Sequence, residues 1–245
     1  MTVTMDNRES STAFRQIRSV LDRSPHFRAL PPEKLDRLAA LGRLVTYKNG
    51  ECVRGGWQAA DGLLIVVHGG LRLTLQDDDG TSFLFAIIGA GSFYSPALLP
   101  DGRRILFDAH AAGRTEAAEF SKGALCREFH GDLYIDKHFK ERHFDKVRAM
   151  ATMYRDVVAL PLPRALSRRL LAQALAIAAD PPDGEIELRT SQADLAEMLG
   201  ASRTRVIAEL KRLSRAGIVR LGYRTIVVRD WKRLCDVAGS GVVPL

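Results

Sequence analysis

Between Ala201 and Arg224 the chain carries seven basic residues: Arg203, Arg205, Lys211, Arg212, Arg215, Arg220 and Arg224. One acid, Glu209, stands among them. The whole 245-residue chain has a formal net charge of +7, so this short stretch accounts for nearly all of the excess. A solvated helix face usually mixes signs, whereas charge gathered this way suits a protein that must neutralise phosphates. The guanidinium fork of arginine can also reach O6 and N7 of guanine together, and threonine can bond a base edge or touch a methyl group. The chemistry on offer is recognition of a polyanion. No paired carboxylates, Ser/His/Asp set, P-loop or dinucleotide fingerprint occurs, and no enzyme activity is expected.

The elements that must position these groups are legible around them. In SQADLAEMLGASRTRVIAELKRLSRAGIVRLGYRTIVVRD, Ser191 is placed to cap a helix, with Asp194 in capping-box position three residues on. Leu195, Ala196 and Leu199 supply its buried face, and Gly200 ends it. Ser202 caps a second helix that buries Val206, Leu210 and Leu213 and leaves Arg203, Thr204, Arg205 and Ala208 free near its start. Two short helices joined by a glycine turn form a helix-turn-helix, whose second helix enters the major groove N-terminus first. Gly217 falls at the C′ position. IVRL, GYR and TIVV then make a hairpin wing, with Arg220 and Arg224 placed to meet phosphates. The expected DNA-contacting residues are Ser191, Gln192, Ser202, Arg203, Thr204, Arg205, Lys211, Arg220 and Arg224.

Upstream, the pattern changes twice. From Leu44 to about Phe120, short β-rich pieces alternate with glycine turns, which argues for a β-barrel or sandwich. The DDDG step at 77–80 reads as a hairpin turn. Before it lie a polar, mobile stretch to about Ser11, a helical region with Phe14, Ile17, Val20 and Leu21, and a helix opened by Pro31 and Pro32. After it, some 30 residues from Gly131 run without a further Gly or Pro. Val147, Met150, Tyr154 and Val157 follow at +3, +4 and +3, the spacing of a coiled-coil seam. At about 1.5 Å per residue such a helix is longer than one small domain needs, so the seam is assigned to a dimer. Pro161 and Pro163 break it and make a hinge.

The apolar fraction is 46% and the charged fraction 27%, ordinary for a soluble globular chain. No run is apolar enough for a membrane span and no secretory signal opens the chain, so a cytoplasmic location and no membrane partner are expected. Cys52, Cys126 and Cys235 form no CxxC pair and cannot all pair with one another. Reduced structural thiols are expected, and no metal site. An iron–sulfur cluster would need about four cysteines, and none is expected.

At the helix-turn-helix the chain resembles the Crp/Fnr family of bacterial regulators, and the resemblance runs from about Phe27 to Trp231. TSQADLAEMLGASRTRV and LKRLSRAGIVR carry its most specific part. NGECVRGG, DGLLIVVHGGLRL, DDDGTSFLFAIIGAGSF and the long helix follow in the family's order. The resemblance implies an α+β architecture: an N-terminal cyclic-nucleotide-binding-like β-barrel, a long dimerisation helix, then a C-terminal winged helix-turn-helix. It divides the chain into an arm at 1–24, the barrel at 25–130, the helix at 131–160, the DNA-binding domain at 161–233 and a tail at 234–245. The implied partners are double-stranded DNA, a second copy of the chain, and RNA polymerase as a candidate. Ser92, Tyr94, Ser95, Arg103 and Arg104 fall where the family's effector pocket lies. There Ser95, Pro96 and Ala97 replace the family's Gly-Glu-Leu, and Ile105 follows the arginines where Ser or Thr is usual. The ribose acceptor is gone, which argues against cyclic AMP binding of the usual kind. Thr204 and Ala208 replace the glutamate and arginine of some members, so no operator sequence carries over.

Overall fold

The computed structural model describes residues 3–55, 62–76, 81–95, 107–177 and 184–242, with side chains from residue 11 onward. Its residues fall into two compact units, 1–80 with 88–139, and 81–87 with 140–245. The division runs inside a long helix and inside a strand, so neither unit is a continuous piece of chain.

The first unit opens on α1 (Val3–Arg23) and α2 (Pro32–Leu41). The sequence leaves everything before Ser11 irregular, but the helix begins at Val3. Ile17, Val20 and Leu21 recur at helical spacing, are buried, and share one core with Phe27, Leu35, Leu38, Phe93 and Phe120. Pro32 opens α2, where its missing N–H is no loss. Among the described residues eight strands follow: β1 (Arg43–Tyr47), β2 (Cys52–Arg54), β3 (Leu63–His68), β4 (Gly70–Gln76), β5 (Ser82–Gly89), β6 (Phe93–Tyr94), β7 (Asp108–Ala111) and β8 (Thr115–Phe120). They form two four-stranded sheets, ordered β1-β8-β3-β6 and β2-β7-β4-β5, the barrel of the expected architecture. Strand alternation sorts the residues: Ile65 and Phe93 join the core beneath the helices, whereas Leu64, Val66 and Tyr94 join a second core with Leu71 and Ala109. Gly62 and Gly69 stand where a side chain would collide with backbone: a Cβ would come within 1.8 Å of the Phe120 carbonyl oxygen at the first and 2.6 Å of the Arg114 carbonyl oxygen at the second. Both also have φ near +90°, at +98° and +82°. The hairpin step at 77–80 lies outside the described residues. A short helix α3 (Lys122–Glu128), capped by Ser121, leads into α4 (Leu133–Ala159).

The second unit holds α4 from Lys140 onward and α5 (Leu162–Ile177), then β9 (Ile186–Leu188), α6 (Gln192–Met198) and α7 (Arg203–Arg215). β10 (Val219–Gly222), β11 (Thr225–Val228) and α8 (Trp231–Ala238) complete it. One core, containing Leu166, Leu170, Leu195, Leu210, Ile226 and Leu234, gathers these elements together with Leu84. The Leu84 amide donates to Glu197 on α6 at 2.7 Å.

The break between the helices falls at Pro161, between the end of α4 and the start of α5. Pro163 does not interrupt a helix; it sits in the first turn of α5, where proline costs no backbone bond. α8 continues past 233, with Leu234 and Ala238 buried. The two helices α4 and α5 are also tied across their short link. Asp156, 8% exposed, accepts from Arg168 Nε at 2.5 Å, and Arg168 is only 2% exposed. The same guanidinium donates to the carbonyls of Ser240 at 2.7 Å and Gly241 at 2.6 Å, so the segment after α8 closes over it.

Candidate nucleic-acid interface

The helix-turn-helix is built by caps. The Ser191 hydroxyl accepts from the Asp194 amide at 3.1 Å while the Asp194 carboxylate accepts from the Ser191 amide at 2.8 Å. This reciprocal capping box satisfies two of the four amides that a helix start leaves open. Ser202 makes one half of that device at α7, where its hydroxyl accepts from the Arg205 amide at 3.4 Å. Between the helices Gly200 takes φ +56°, the left-handed conformation a tight turn requires. Val206, Leu210 and Leu213 face the core. That fixes the rotation of α7, and Arg203, Thr204 and Arg205 are all exposed at its first turn. Three further exposed residues, Ala208, Lys211 and Arg215, continue outward along the helix. Gln192 is half-buried at the start of α6.

The helix ends as its sequence requires. Gly217 has φ +73° and donates to the Ser214 carbonyl at 2.9 Å, while the Ile218 amide reaches Leu213 at 3.0 Å. These turn the chain into the wing, a sheet ordered β10-β11-β9. Gly222 and Thr225 face each other across a two-residue turn. In that turn Arg224 adopts φ +54°, the one non-glycine residue with positive φ among the described residues. Beside it Tyr223 is 91% exposed, an aromatic side chain standing in solvent at the wing tip. Sequence reasoning passed over Tyr223; the two-residue turn between alternating strands was the available signal.

The basic residues fall into two groups that spacing did not separate. Arg220 donates to Glu185 at 3.1 Å and Arg229 donates to the same carboxylate at 2.8 Å. Those two hydrogen bonds, from Arg220 first and then Arg229, hold the Glu185 carboxyl below the usual carboxylate range. Arg212 is engaged in the same way, donating to both oxygens of Glu209 at 2.8 Å. No described carboxylate pairs with Arg203, Arg205, Lys211, Arg215 or Arg224. The cationic surface is therefore carried by these five, and Arg220 reaches a phosphate only by sharing or leaving Glu185.

The proposed seam residues lie along one side of α4 and are all exposed: Val147 60%, Met150 38%, Tyr154 74% and Val157 39%. Phe144 at 63% and Val158 at 67% extend the same stripe, and neither was named from the heptad spacing. The other side of the helix carries the buried Ala149, Met153 and Asp156. Of the effector-pocket set, Ser92, Tyr94 and Ser95 are among the described residues. Tyr94 is buried with its hydroxyl donating to the Phe107 carbonyl at 2.6 Å. Ser92 and Ser95 flank β6, both with hydroxyl oxygens lacking a hydrogen-bond partner among the described residues. Arg103 and Arg104 lie outside the described residues. Among the described residues no group of three His, Cys, Asp or Glu side chains could hold a metal ion, and no helix is long and apolar enough to cross a membrane.

Comparison with known proteins agrees with this geometry. Residues 165–237 match the family model of the Crp-like helix-turn-helix domain. The transcriptional regulator SdrP of Thermus thermophilus is 27% identical over 179 residues, covering 71% of this chain and 83% of that protein. A CRP-like cAMP-activated global transcriptional regulator of Mycobacterium tuberculosis is 20% identical over 217 residues, 88% of this chain and 96% of its own. Among solved structures, FixK2 from Bradyrhizobium japonicum superposes with a TM-score of 0.70 at 19% identity, covering 82% of this chain and 98% of that one. A Thermus thermophilus regulator of the CRP family gives 0.62 at 18% identity, with 82% and 100% covered. With a capped helix-turn-helix and wing at its C-terminus and a two-sheet domain at its N-terminus, the chain carries a Crp-like helix-turn-helix domain and is similar to transcription regulators of the Crp/Fnr family.

Proposed function

We propose that this protein binds an inverted-repeat operator as a homodimer in the cytoplasm and reads bases with the first turn of α7. The observation that carries the proposal is the exposed cluster Arg203, Thr204 and Arg205, held at a capped helix start with no described carboxylate competing for its donors. One such helix makes too few contacts for typical specific affinity, and two on a two-fold axis reach major grooves about 34 Å apart. The exposed stripe on α4 supplies the apolar surface for pairing. Arg203 reads a base, with guanine as the best geometric match. Lys211 and Arg224 hold phosphates and carry no sequence information. RNA polymerase is a candidate partner at the promoter, and no enzymatic turnover is assigned.

Cyclic AMP is not the switch in its usual mode. Pro96 stands where the resemblance requires the acidic ribose ligand, and a buried hydroxyl without a partner loses about 1–3 kcal/mol. Selection of duplexes from a random pool tests the reading directly. An inverted repeat should emerge. Arg203→Ala should then lose about 5–150-fold per half-site with preference relaxed at one base pair, while Lys211→Ala should weaken all duplexes alike. Failure to enrich any sequence, or equal loss on specific and random DNA for Arg203→Ala, would overturn it.

A further inference from the structure

A groove of about 690 Å³ runs along the outside of the first unit, between α1 and the facing ends of β3 and β8. It is the size of a small-molecule site, and it lies away from the interior-facing residues of the second sheet core. Its chemistry is one-sided. Arg15 and Arg23 line it from α1, and Arg114 lines it from the turn before β8.

Arg15, Ser19 and Arg23 are spaced four apart, so they form a single row along the helix, about 12 Å from end to end. The opposite face of that helix carries Ile17 and Leu21, which are fully buried, so the row cannot rotate away from the groove. Each of the two arginines spends its Nε on its own helix, Arg15 on the Ser11 carbonyl at 3.3 Å and Arg23 on the Ser19 carbonyl at 3.1 Å. Their terminal nitrogens meet no described carboxylate. That differs from Arg18 on the adjacent face, which is held by Asp22 and Asp36. Among the described residues Arg114 makes a long ion pair, 3.8 Å to Glu116.

The remaining lining completes a recognisable set. Gln16 and Ser19 offer hydrogen bonds, and Val20 and Val67 provide an apolar floor. Glu116 is the one carboxylate among the lining residues, and its side chain remains partly exposed. Three guanidiniums, an apolar floor and a single acceptor suit a small organic phosphate: the arginines take the phosphates, the valines take a ring, and Glu116 accepts from a hydroxyl or amino group.

We propose that this groove binds a phosphate-bearing metabolite of nucleotide size, giving the regulator a ligand site that does not depend on the altered ribose-binding stretch at 95–97. The proposal is independent of the DNA reading, because the groove lies wholly in the first unit.

The test is calorimetry on the full chain without DNA, titrating ATP, AMP and inorganic pyrophosphate in turn. ATP should bind below millimolar, pyrophosphate should compete with it, and added salt should weaken both. The Arg15→Gln, Arg23→Gln double variant changes only exposed side chains and should lose at least tenfold in affinity with unchanged circular dichroism. The Arg203→Ala, Arg205→Ala variant should bind ATP as the wild type does. Pyrophosphate binding with no gain from the nucleoside part would assign the site to simple phosphates and overturn the nucleotide-sized ligand. No binding at millimolar ATP would overturn the site. So would an affinity lost through the α7 arginines but kept in the α1 double variant.

Discussion

Asp156→Ala should be among the most damaging single changes in the second unit. Its carboxylate is buried and accepts from Arg168 at 2.5 Å and from Arg155 at 2.7 and 3.1 Å. Arg168 would keep the carbonyls of Ser240 and Gly241, but no buried anion would remain beside it. Arg169 makes matters worse. It is 6% exposed, its Nη1 has no partner among the described residues, and burial pushes its pKa down to about 10 despite the attraction of Asp156. Two guanidiniums would thus be left buried against no charge. Removing one partner of a buried pair costs about 3–5 kcal/mol. The cooperative unit has about 110 residues, for which each kcal/mol moves Tm by roughly 4 °C. The expected fall is therefore about 12–20 °C in calorimetry. Asp156→Asn keeps an acceptor and should lose less. Asp156→Ala with Arg168→Met removes the two charges of this pair and should recover part of the deficit, because only Arg169 is then left buried without its anion. A single variant within about 1 kcal/mol of wild type, or a double variant worse than the single, would refute the reasoning that this pair locks α4 to α5.

Three further outcomes are expected. Glu185→Gln frees Arg220 and Arg229, so affinity for every duplex should rise and the slope of log K against log salt should steepen by about 1–2 per protomer; an unchanged slope in fluorescence titrations would show that Glu185 does not restrain the wing. A Val147→Asp, Val157→Asp chain should sediment as a monomer and lose specific affinity with dimerisation, and a variant that stays dimeric places the seam elsewhere. Glu119 is subject to burial, which raises its pKa, but hydrogen bonds from Tyr47 and Arg43, with Arg54 nearby, hold it below the ordinary carboxylate value. Its contribution to stability is present above that ordinary value and disappears as pH falls through the lowered one. Glu119→Gln should flatten the acid limb of the first unit's stability curve, and an acid limb identical to wild type would count against it.

The helix-turn-helix is legible in the amino-acid sequence because its signals are local. Ser191 with Asp194, Ser202 with the Arg205 amide, and Gly200 and Gly217 at their turns all act within a few residues. Local hydrogen bonding therefore writes them as spacing. The β-rich stretch is legible as a class for the same reason, since alternation and glycine turns are local. Which strands pair is not, because β1 meets β8 and β2 meets β7 across most of the domain.

Only tertiary structure decided which charges are available. Arg220 and Arg224 look alike in sequence, yet a carboxylate 35 residues away occupies the first, and nothing described pairs with the second. Asp156 meets Arg168 because the chain folds back after Pro161, and the carbonyls that finish that site come from more than 70 residues further on. The α1 groove exists because buried isoleucine and leucine turn the helix so that Arg15 and Arg23 face a strand end carrying Arg114. Periodicity records which face of an element is apolar; it holds no record of what that face, or its opposite, will meet. Coulomb and hydrogen-bond partners are chosen by proximity in space, and proximity across dozens of residues is set only when the core has packed.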